Sequence, residues 1–175
     1  MAGVMQSIGL INFEVYKSGS DRLIGIANVE LPTMEYETVD MKGAGLSGTM
    51  SMPVRGNFSS MELKLTWRSI EAEATELFGH KSINLSLYGA VSREDSGTHD
   101  LKVQRHKLEV SVLSKTLNLG KWEPSSTTDS ESTFELQTLN YKIDGKEVLD
   151  IDRLNYVFKV FGTDYSRDTR TALGL

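Results

Sequence analysis

Six residues at positions 43–48 have the types and spacing most suggestive of chemistry in this 175-residue chain. They read Gly43-Ala44-Gly45-Leu46-Ser47-Gly48, which formally matches the dinucleotide-binding pattern G-x-G-x-x-G. In that pattern the glycine loop leaves a buried strand and opens a helix, whose N-terminal amides hold a pyrophosphate. Glu62 lies about 20 residues further on, where a ribose-binding acid is expected.

The segments on either side of these glycines indicate a different structure. Residues 49–55, which follow, alternate apolar and polar side chains, and Pro53 stands where a helix would make its second turn. Residues 34–41, which precede, also alternate and are too polar for the buried parallel strand of a nucleotide-binding fold. We therefore predict that the glycines form the mobile tip of a long β-hairpin and bind no nucleotide.

Histidines and carboxylates provide no metal site. His80, His99 and His106 lack metal-ligand spacing, and the last two would point to opposite faces of one strand. Asp150 and Asp152 share a strand face, but aspartates at a strand end are typical of caps and turns. We expect no metal-binding or cofactor-binding residue.

No nucleophile, base and acid stand in a recognisable order. The run Gly45-Leu46-Ser47-Gly48 is one residue short of the G-x-S-x-G nucleophile elbow. Triads assemble from distant residues, so an enzyme with a scattered site remains an alternative. The expectation is a protein that is not an enzyme and has no catalytic residue.

Composition narrows the class of protein further. The chain has no cysteine, which excludes disulfides and thiolate sites and favours a reducing cytoplasm. The N-terminus lacks a signal-peptide pattern, and the apolar runs are shorter than a membrane span, so we expect neither secretion nor membrane insertion. Lysine and arginine number 19 against 24 acidic residues, for a net charge of −5.

This acidic balance disfavours tight binding to a phosphate backbone. The densest cationic cluster is Lys102, Arg105, His106 and Lys107 on a predicted strand. We interpret that cluster as a solvated strand face or an inter-subunit charge pair.

Periodicity predicts a mainly β protein with a single domain over 1–175. Alternating runs predict strands, which we place at 7–17, 22–31, 60–68, 82–92, 100–119 (bent or broken), 133–143 and 146–151. Turns are expected at 18–21 and at Asp144-Gly145, and a polar, mobile loop at 123–132. One helix is predicted at 70–78, with Ser69 as N-cap, Gly79 as stop and Ile70, Ala74, Leu77 and Phe78 as its apolar stripe.

A long hairpin arm is predicted at about 32–55. It is too long to pack wholly on a domain of this size. Its apolar side chains include Met34, Met41, Leu46, Met50 and Met52, and methionine suits a surface that must fit a partner. Such an arm would aggregate in water unless another chain covered it. The arm therefore predicts self-assembly, and the alternative is an ordinary hairpin folded onto its own core.

The order of these segments resembles the major tail tube protein of contractile-tailed bacteriophages and R-type bacteriocins. Five matching pieces carry the resemblance: Val29-Glu30-Leu31-Pro32 with Met41-Lys42-Gly43-Ala44-Gly45; Glu76-Leu77-Phe78-Gly79; Gly120-Lys121-Trp122-Glu123-Pro124; Leu139-Asn140-Tyr141-Lys142-Ile143-Asp144-Gly145-Lys146; and a C-terminal pattern of Asp150-Ile151-Asp152, Asn155, Gly162-Thr163-Asp164 and 170–175. Together they span most of the chain.

The resemblance implies a tail-tube β-sandwich or barrel with one short helix and a long arm. Subunits of that family form homohexameric rings with a β-barrel lumen, and the rings stack into the inner tube of a contractile tail. The expected partners are the sheath, tape measure, baseplate and tail-terminator proteins, with DNA only as transient cargo, or ions in a bacteriocin. The expected location is the virion tail or bacteriocin particle, after assembly in the host cytoplasm.

The same resemblance suggests residues for inter-subunit contacts. Met41, Gly43, Gly45, Leu46 and Gly48 would act in ring contacts, because glycine lets the backbone pass close to another chain. Arg170 and Leu173 would anchor a C-terminal tail at about 162–175. The alternative is a non-polymeric β-sandwich binding module.

Overall fold

The computed structural model describes residues 4–17, 21–43, 45–79 and 81–175. Residues 18–20 of the turn expected at 18–21, together with Ala44 and His80, lie outside the described residues. The strands are β1 (Met5–Lys17), β2 (Asp21–Arg22), β3 (Ile26–Glu30), β4 (Tyr36–Met41), β5 (Met50–Phe58), β6 (Glu62–Trp67), β7 (Ile83–Asp95), β8 (Leu101–Asn118), β9 (Ser130–Ile143), β10 (Lys146–Asp152), β11 (Val157–Val160) and β12 (Thr163–Asp164). The helices are α1 (Ala72–Glu76) and α2 (Arg167–Leu173).

Ten of the strands form one antiparallel sheet, so the expectation of a mainly β fold is confirmed. Its main path runs β12-β11-β10-β9-β8-β7-β1-β2. The sheet divides at β9, whose first half pairs with β6 and whose second half pairs with β10. β6 in turn pairs with β3. This division folds the sheet over on itself, so that two layers enclose the core.

The core lies between β6 and the long strands β7, β8 and β9. Along β6 the side chains alternate as predicted, and Leu63, Leu65 and Trp67 are all fully buried. The indole Nε1 of Trp67 donates a hydrogen bond of 3.1 Å to the hydroxyl of Ser132, which satisfies its one polar atom. Phe134 of β9 is also fully buried.

The predicted strand at 22–31 is wrong as a single element. Gly25 separates β2 from β3 with a φ of 87°, a conformation that L side chains rarely adopt. β2 forms a short hairpin with β1, whereas β3 crosses to pair with β6. The chain thus changes layers at Gly25.

The predicted helix at 70–78 is shorter than expected and lacks its predicted cap. α1 covers only Ala72–Glu76, and the hydroxyl of Ser69 donates to the Glu71 carboxylate at 2.6 Å instead of capping the helix. Ala74 and Leu77 are buried as predicted, but Phe78 is 43% exposed because the helix has already ended.

Two further expectations are corrected at the C-terminal half. A second helix, α2, was not predicted, since its sequence has no apolar stripe and none of its residues is buried. The polar loop ends earlier than predicted, because β9 begins at Ser130 and both Ser130 and Ser132 are buried. The Asp144-Gly145 turn is confirmed, with φ of 49° and 81° at its two residues.

Candidate assembly surfaces

The glycine-rich segment forms the tip of a hairpin, as predicted. β4 and β5 pair only with each other within the described residues, and the chain between them contains Gly43, Gly45 and Gly48. Gly45 and Gly48 have φ of 96° and 115°. A Cβ at any of the three glycines would meet no atom within 4 Å. A strand follows the glycines rather than a helix, so the dinucleotide pattern is a chance match.

The outer half of this arm has one apolar face and one polar face. Cross-strand register places Val39 opposite Met52 and Met41 opposite Met50 on one face. Their exposed fractions are 56%, 42%, 48% and 46% in the same order. The other face includes Asp40 opposite Ser51, which are hydrogen-bonded to each other. The arm is therefore an amphipathic ribbon whose apolar face is uncovered in the single chain.

Four aromatic rings fix the base of the arm, and no local pattern in the sequence indicates them. Tyr36 and Phe58 stack with centroids 5.0 Å apart, and Phe58 meets Phe158 of β11 edge to face at 5.1 Å. Tyr165 lies 5.7 Å from Phe158. These residues are far apart in sequence, so only the fold brings them together. Pairs of this kind contribute about 0.5–1.5 kcal/mol each beyond their buried area.

The C-terminal segment packs beside the same base. A Cβ at Gly56 of β5 would lie 3.2 Å from the hydroxyl of Ser166, the residue before α2. The Arg170 guanidinium bonds to the Asp164 carboxylate and donates to the Tyr156 carbonyl at 2.7 Å. The hydrogen bond from Arg170 holds the pKa of Asp164 below its ordinary value.

The proposed site residues therefore fall into two groups. Met41, Gly43, Gly45, Leu46 and Gly48 lie together at the outer end of the arm. Arg170 and Leu173 lie on α2, where Arg170 contacts its own chain and Leu173 is 56% exposed.

A three-stranded extension of the sheet carries unpaired edges. Apart from Val15, Tyr16 and Lys17, the β1 residues have strand partners only in β7, within the described part of the chain. On the other side, β9 stops opposite His106, so the β8 residues before Arg105 have strand partners only in β7 among the described residues. Exposed apolar side chains lie along both edges: Ile8, Leu10, Ile11, Leu101 and Val103. Unpaired apolar edges of this kind favour addition of another strand.

The sheet face turned away from the core is polar. Cross-strand register aligns its side chains in two neighbouring rows across β1, β7, β8, β9, β10 and β11. The first row contains Tyr16, Ser86, Glu109, Asn140, Asp150 and Lys159, and the second contains Glu14, Tyr88, Lys107, Lys142 and Glu147. Carboxylates and ammonium groups are nearly balanced in these rows.

Most of these charges are paired within the face. Lys107 and Lys142 both donate to Glu109, at 2.7 and 2.9 Å, and these bonds hold the pKa of Glu109 below its usual range. The bond to Glu109 likewise raises the pKa of Lys107. Lys159 donates to Asp150 at 3.0 Å, which raises the pKa of Lys159. The face thus presents neutralised pairs rather than free charge of one sign.

The cationic cluster of β8 does not form one patch. Arg105 and Lys107 lie on the polar face, where both approach the ring of Tyr88, at 5.1 and 5.4 Å from its centroid. His106 lies on the opposite face, as strand alternation requires, and contacts the hydroxyl of Tyr141. This division removes the concentrated positive surface that tight nucleic-acid binding requires.

The described ranges contain no metal-binding cluster. No group of three or more His, Cys, Asp or Glu side chains converges there in a metal-binding arrangement. Asp150 accepts from Lys159, whereas Asp152 accepts from the backbone amides of Leu154 and Asn155 and so forms a turn. Among the described helices, none is long and apolar enough to cross a membrane.

The fold is similar to those of chains from contractile injection systems. It matches the sheath/tube terminator of an extracellular contractile injection system with a TM-score of 0.53 at 13% identity, over 75% of this chain and 94% of the other. It also matches a chain of the sheath–tube complex of such a system with a TM-score of 0.51 at 14% identity, over 75% and 88% of the two chains.

The sequence shows the family to which the chain belongs. Residues 8–174 match the family described as phage tail tube protein FII, and the chain belongs to that family. It is 24% identical to the major tail tube protein of Serratia phage KSP20, over 93% of this chain and 94% of the relative. It is 26% identical to the tail tube protein of Escherichia phage P2, over 86% and 88%. The resemblance inferred from the sequence is thereby confirmed.

Proposed function

We propose that this tail tube protein assembles into hexameric rings, which stack to form the inner tube of a contractile tail. The whole chain, 1–175, acts as one tube domain. The tube is a conduit for DNA ejection, or for ions in a bacteriocin. Its partners are the sheath, tape measure, baseplate and tail-terminator proteins. Assembly takes place in the host cytoplasm, and the product is part of the virion tail or bacteriocin particle.

The observation that carries this proposal is the uncovered apolar surface of the arm and of the sheet extension. A hairpin of two strands has little stability of its own in water, and an apolar face on it needs a covering layer. Unpaired strand edges likewise need another strand to pair with. Contacts between different patches on identical subunits close into rings by rotation and extend into stacks by translation. A ring closed by strand pairing also leaves no edge exposed.

The polar face supports the assignment of a channel wall. A polyanion slides past a wall only if it is not held there, and every free cation would add attraction to phosphate. The cations of the two polar rows are largely engaged by carboxylates of the same face. We assign this face to the lumen, where its paired charges keep retention of DNA low.

The residues proposed for ring contacts are Met41, Gly43, Gly45, Leu46 and Gly48, with Arg170 and Leu173 holding the C-terminal segment. In this role the glycines keep the tip thin, because no side chain separates its backbone from another chain. Arg170 positions α2 against the base of the arm through Asp164.

Negative-stain electron microscopy with light scattering, at rising protein concentration, tests the assembly. Tubes or six-membered rings with a central hole are expected. A chain that stays monomeric at high concentration would instead favour the binding module, whose ligand would occupy a cleft.

A pair of matched variants tests the role of the tip. Gly45→Arg is expected to raise the concentration needed for assembly at least about ten-fold, corresponding to about 1.4 kcal/mol of lost contact energy. Gly145→Arg is the control, since Gly145 also has a positive φ and open surroundings but lies in the turn between β9 and β10. Normal assembly of the Gly45→Arg chain would eliminate the arm from ring contacts.

A further inference from the structure

An apolar cleft of about 440 Å³ opens beside the start of the arm. Its walls come from β1, from the segment between β3 and β4, and from the inner face of the strands β7 to β10. The rim residues Leu10, Leu31 and Met34 are 58%, 63% and 46% exposed. Phe13, Pro32 and Tyr141 lie deeper in the lining. The cleft is thus an apolar surface that the single chain leaves open.

The outer arm presents a surface of matching chemistry. Its apolar face is continuous, because it consists of two cross-strand pairs that follow each other on the same side of the ribbon: Val39 with Met52, and Met41 with Met50. Three of the four are methionines, whose unbranched side chains adapt to an irregular apolar cavity. The opposite face of the ribbon has the hydrogen-bonded pair Asp40 and Ser51, which can remain in water.

We infer that the apolar face of the arm of one copy docks into this cleft of another copy. The inference rests on the proposed tube assembly and specifies which two surfaces meet in it. One chain contains both surfaces, and neither is filled. A patch and a cavity at different places on one molecule form a heterologous contact, which generates rings or filaments rather than closed pairs.

The position of the cleft fits a second copy better than a small ligand. Its rim is formed by Leu31 and Met34, in the segment that leads into the arm. Each subunit would therefore receive a neighbour's arm where its own arm begins, so that arms would follow one another around or along the tube. An occupied cleft would also cover Leu10, on the unpaired edge of β1.

Cysteine cross-linking tests the contact directly, because the chain has no cysteine of its own. One preparation carries Met50→Cys on the apolar face of the arm, and the other carries Leu10→Cys at the cleft rim. The two are mixed in equal amounts, assembled, oxidised and analysed by non-reducing electrophoresis and mass spectrometry. A disulfide between positions 50 and 10 can then form only between chains, which separates docking onto a neighbour from folding of an arm into its own cleft.

The control replaces the arm partner with Ser51→Cys, one residue away on the polar face of the same strand. We expect the Met50→Cys mixture to give at least about ten-fold more mixed dimer than the Ser51→Cys mixture, since neighbouring strand residues point to opposite faces. Equal yields from the two mixtures would overturn the inference, as would a native small molecule found in the cleft of assembled tubes by mass spectrometry.

Electron microscopy of the same samples tests docking at the cleft separately from assembly of the tube. Tubes without the disulfide between positions 50 and 10 would reject the cleft as the docking site and leave tube assembly intact. Absence of any ring or tube from the unmodified chain would reject the proposed function itself. A second variant, Leu31→Glu, places a charge on the exposed rim, and normal assembly of that variant would also contradict docking at the cleft.

Discussion

β6 and the arm have similar sequence patterns, but the apolar side chains of β6 are buried and those of the arm are exposed. Both alternate apolar and polar side chains. Leu63, Leu65 and Trp67 of β6 are fully buried, because β3 and β9 flank the strand and the second layer covers its face. Met41 and Met50 of the arm remain about half exposed, because β4 and β5 pair only with each other in the part of the chain that the structure describes.

This contrast shows what alternation means physically. The pattern indicates that one face of a strand must be covered, and it does not specify the covering surface. The apolar face of β6 is covered by other strands of the same chain. We propose that the apolar face of the arm is covered by another chain. Substitutions in β6 should therefore change folding stability, whereas substitutions in the arm should change assembly.

The largest effect on stability is expected from Trp67→Ala. Trp67 is fully buried and hydrogen-bonded to Ser132, so its removal should destabilise the dilute, unassembled chain by about 3–5 kcal/mol. The matched arm variant Met52→Ala should change that stability by less than about 0.5 kcal/mol. Denaturant unfolding of both chains measures the difference, and similar losses would contradict the contrast between the two regions.

Glycines offer a second comparison of the same kind. A Cβ at Gly120 would lie 2.1 Å from the carbonyl oxygen of Thr128, and Gly120 also has a φ of 73°. Gly120→Ala should therefore cost at least about 2 kcal/mol, since clash and backbone strain add. Gly45→Ala has the strain without the clash, and its cost should stay near about 1 kcal/mol. Thermal unfolding distinguishes them, and an equal loss in both would show that packing around Gly120 relaxes.

Arg170→Ala tests whether the C-terminal segment contributes to folding stability, as the core does, or contributes little, as the arm does. Loss of the bonds to Asp164 and to the Tyr156 carbonyl should cost about 1–2 kcal/mol at neutral pH. The pKa of Asp164 is lowered in the folded chain, chiefly by the bond from Arg170, so the Asp164 part of this contribution is present above the ordinary value of 3.8 and is lost as pH falls through the lowered pKa. The deficit of the variant should shrink in acid.

Chemical denaturation at pH 7 and at about pH 3 measures this pH dependence. Arg167→Ala, an exposed residue of the same helix, is the control. A deficit that persists unchanged in acid would show that Arg170 acts through its bond to the Tyr156 carbonyl or through packing, rather than through the ion pair.

The smallest effect is expected on the polar face. Glu109→Gln removes the negative charge that two ammonium groups share, yet the three side chains are partly exposed, so solvent screening limits the loss to less than about 1 kcal/mol. The loss should fall further in high salt. Assembled tubes of this variant should retain more single-stranded DNA at low salt, because Lys107 and Lys142 are then unpaired. DNA retention equal to that of the parent tube would contradict the placement of this face in the lumen.

Local signals account for the parts of the fold that could be predicted. Alternation located β6, β7, β8, β9 and β10, and the Asp144-Gly145 pair located its turn through its positive φ values. Gly45 and Gly48 marked the tip of the arm for the same reason. These features depend on neighbours within a few residues.

Contacts between distant residues account for the parts that could not be predicted. The change of layer at Gly25 depends on pairing of β3 with β6, and the base of the arm depends on Tyr36 and Phe58 meeting Phe158. α2 has no buried residue, and Arg170 joins it to Asp164 and to the Tyr156 carbonyl.

By itself the sequence determined the mainly β class, the long arm with a glycine tip, and a family pattern spread over most of the chain. It could do so because side-chain alternation and glycine conformations are local properties. Only the tertiary structure decided which faces are covered, which edges stay unpaired, and that the cations of β8 divide between two faces. The reason is that burial and pairing depend on residues far apart in the chain, which the fold alone brings into contact.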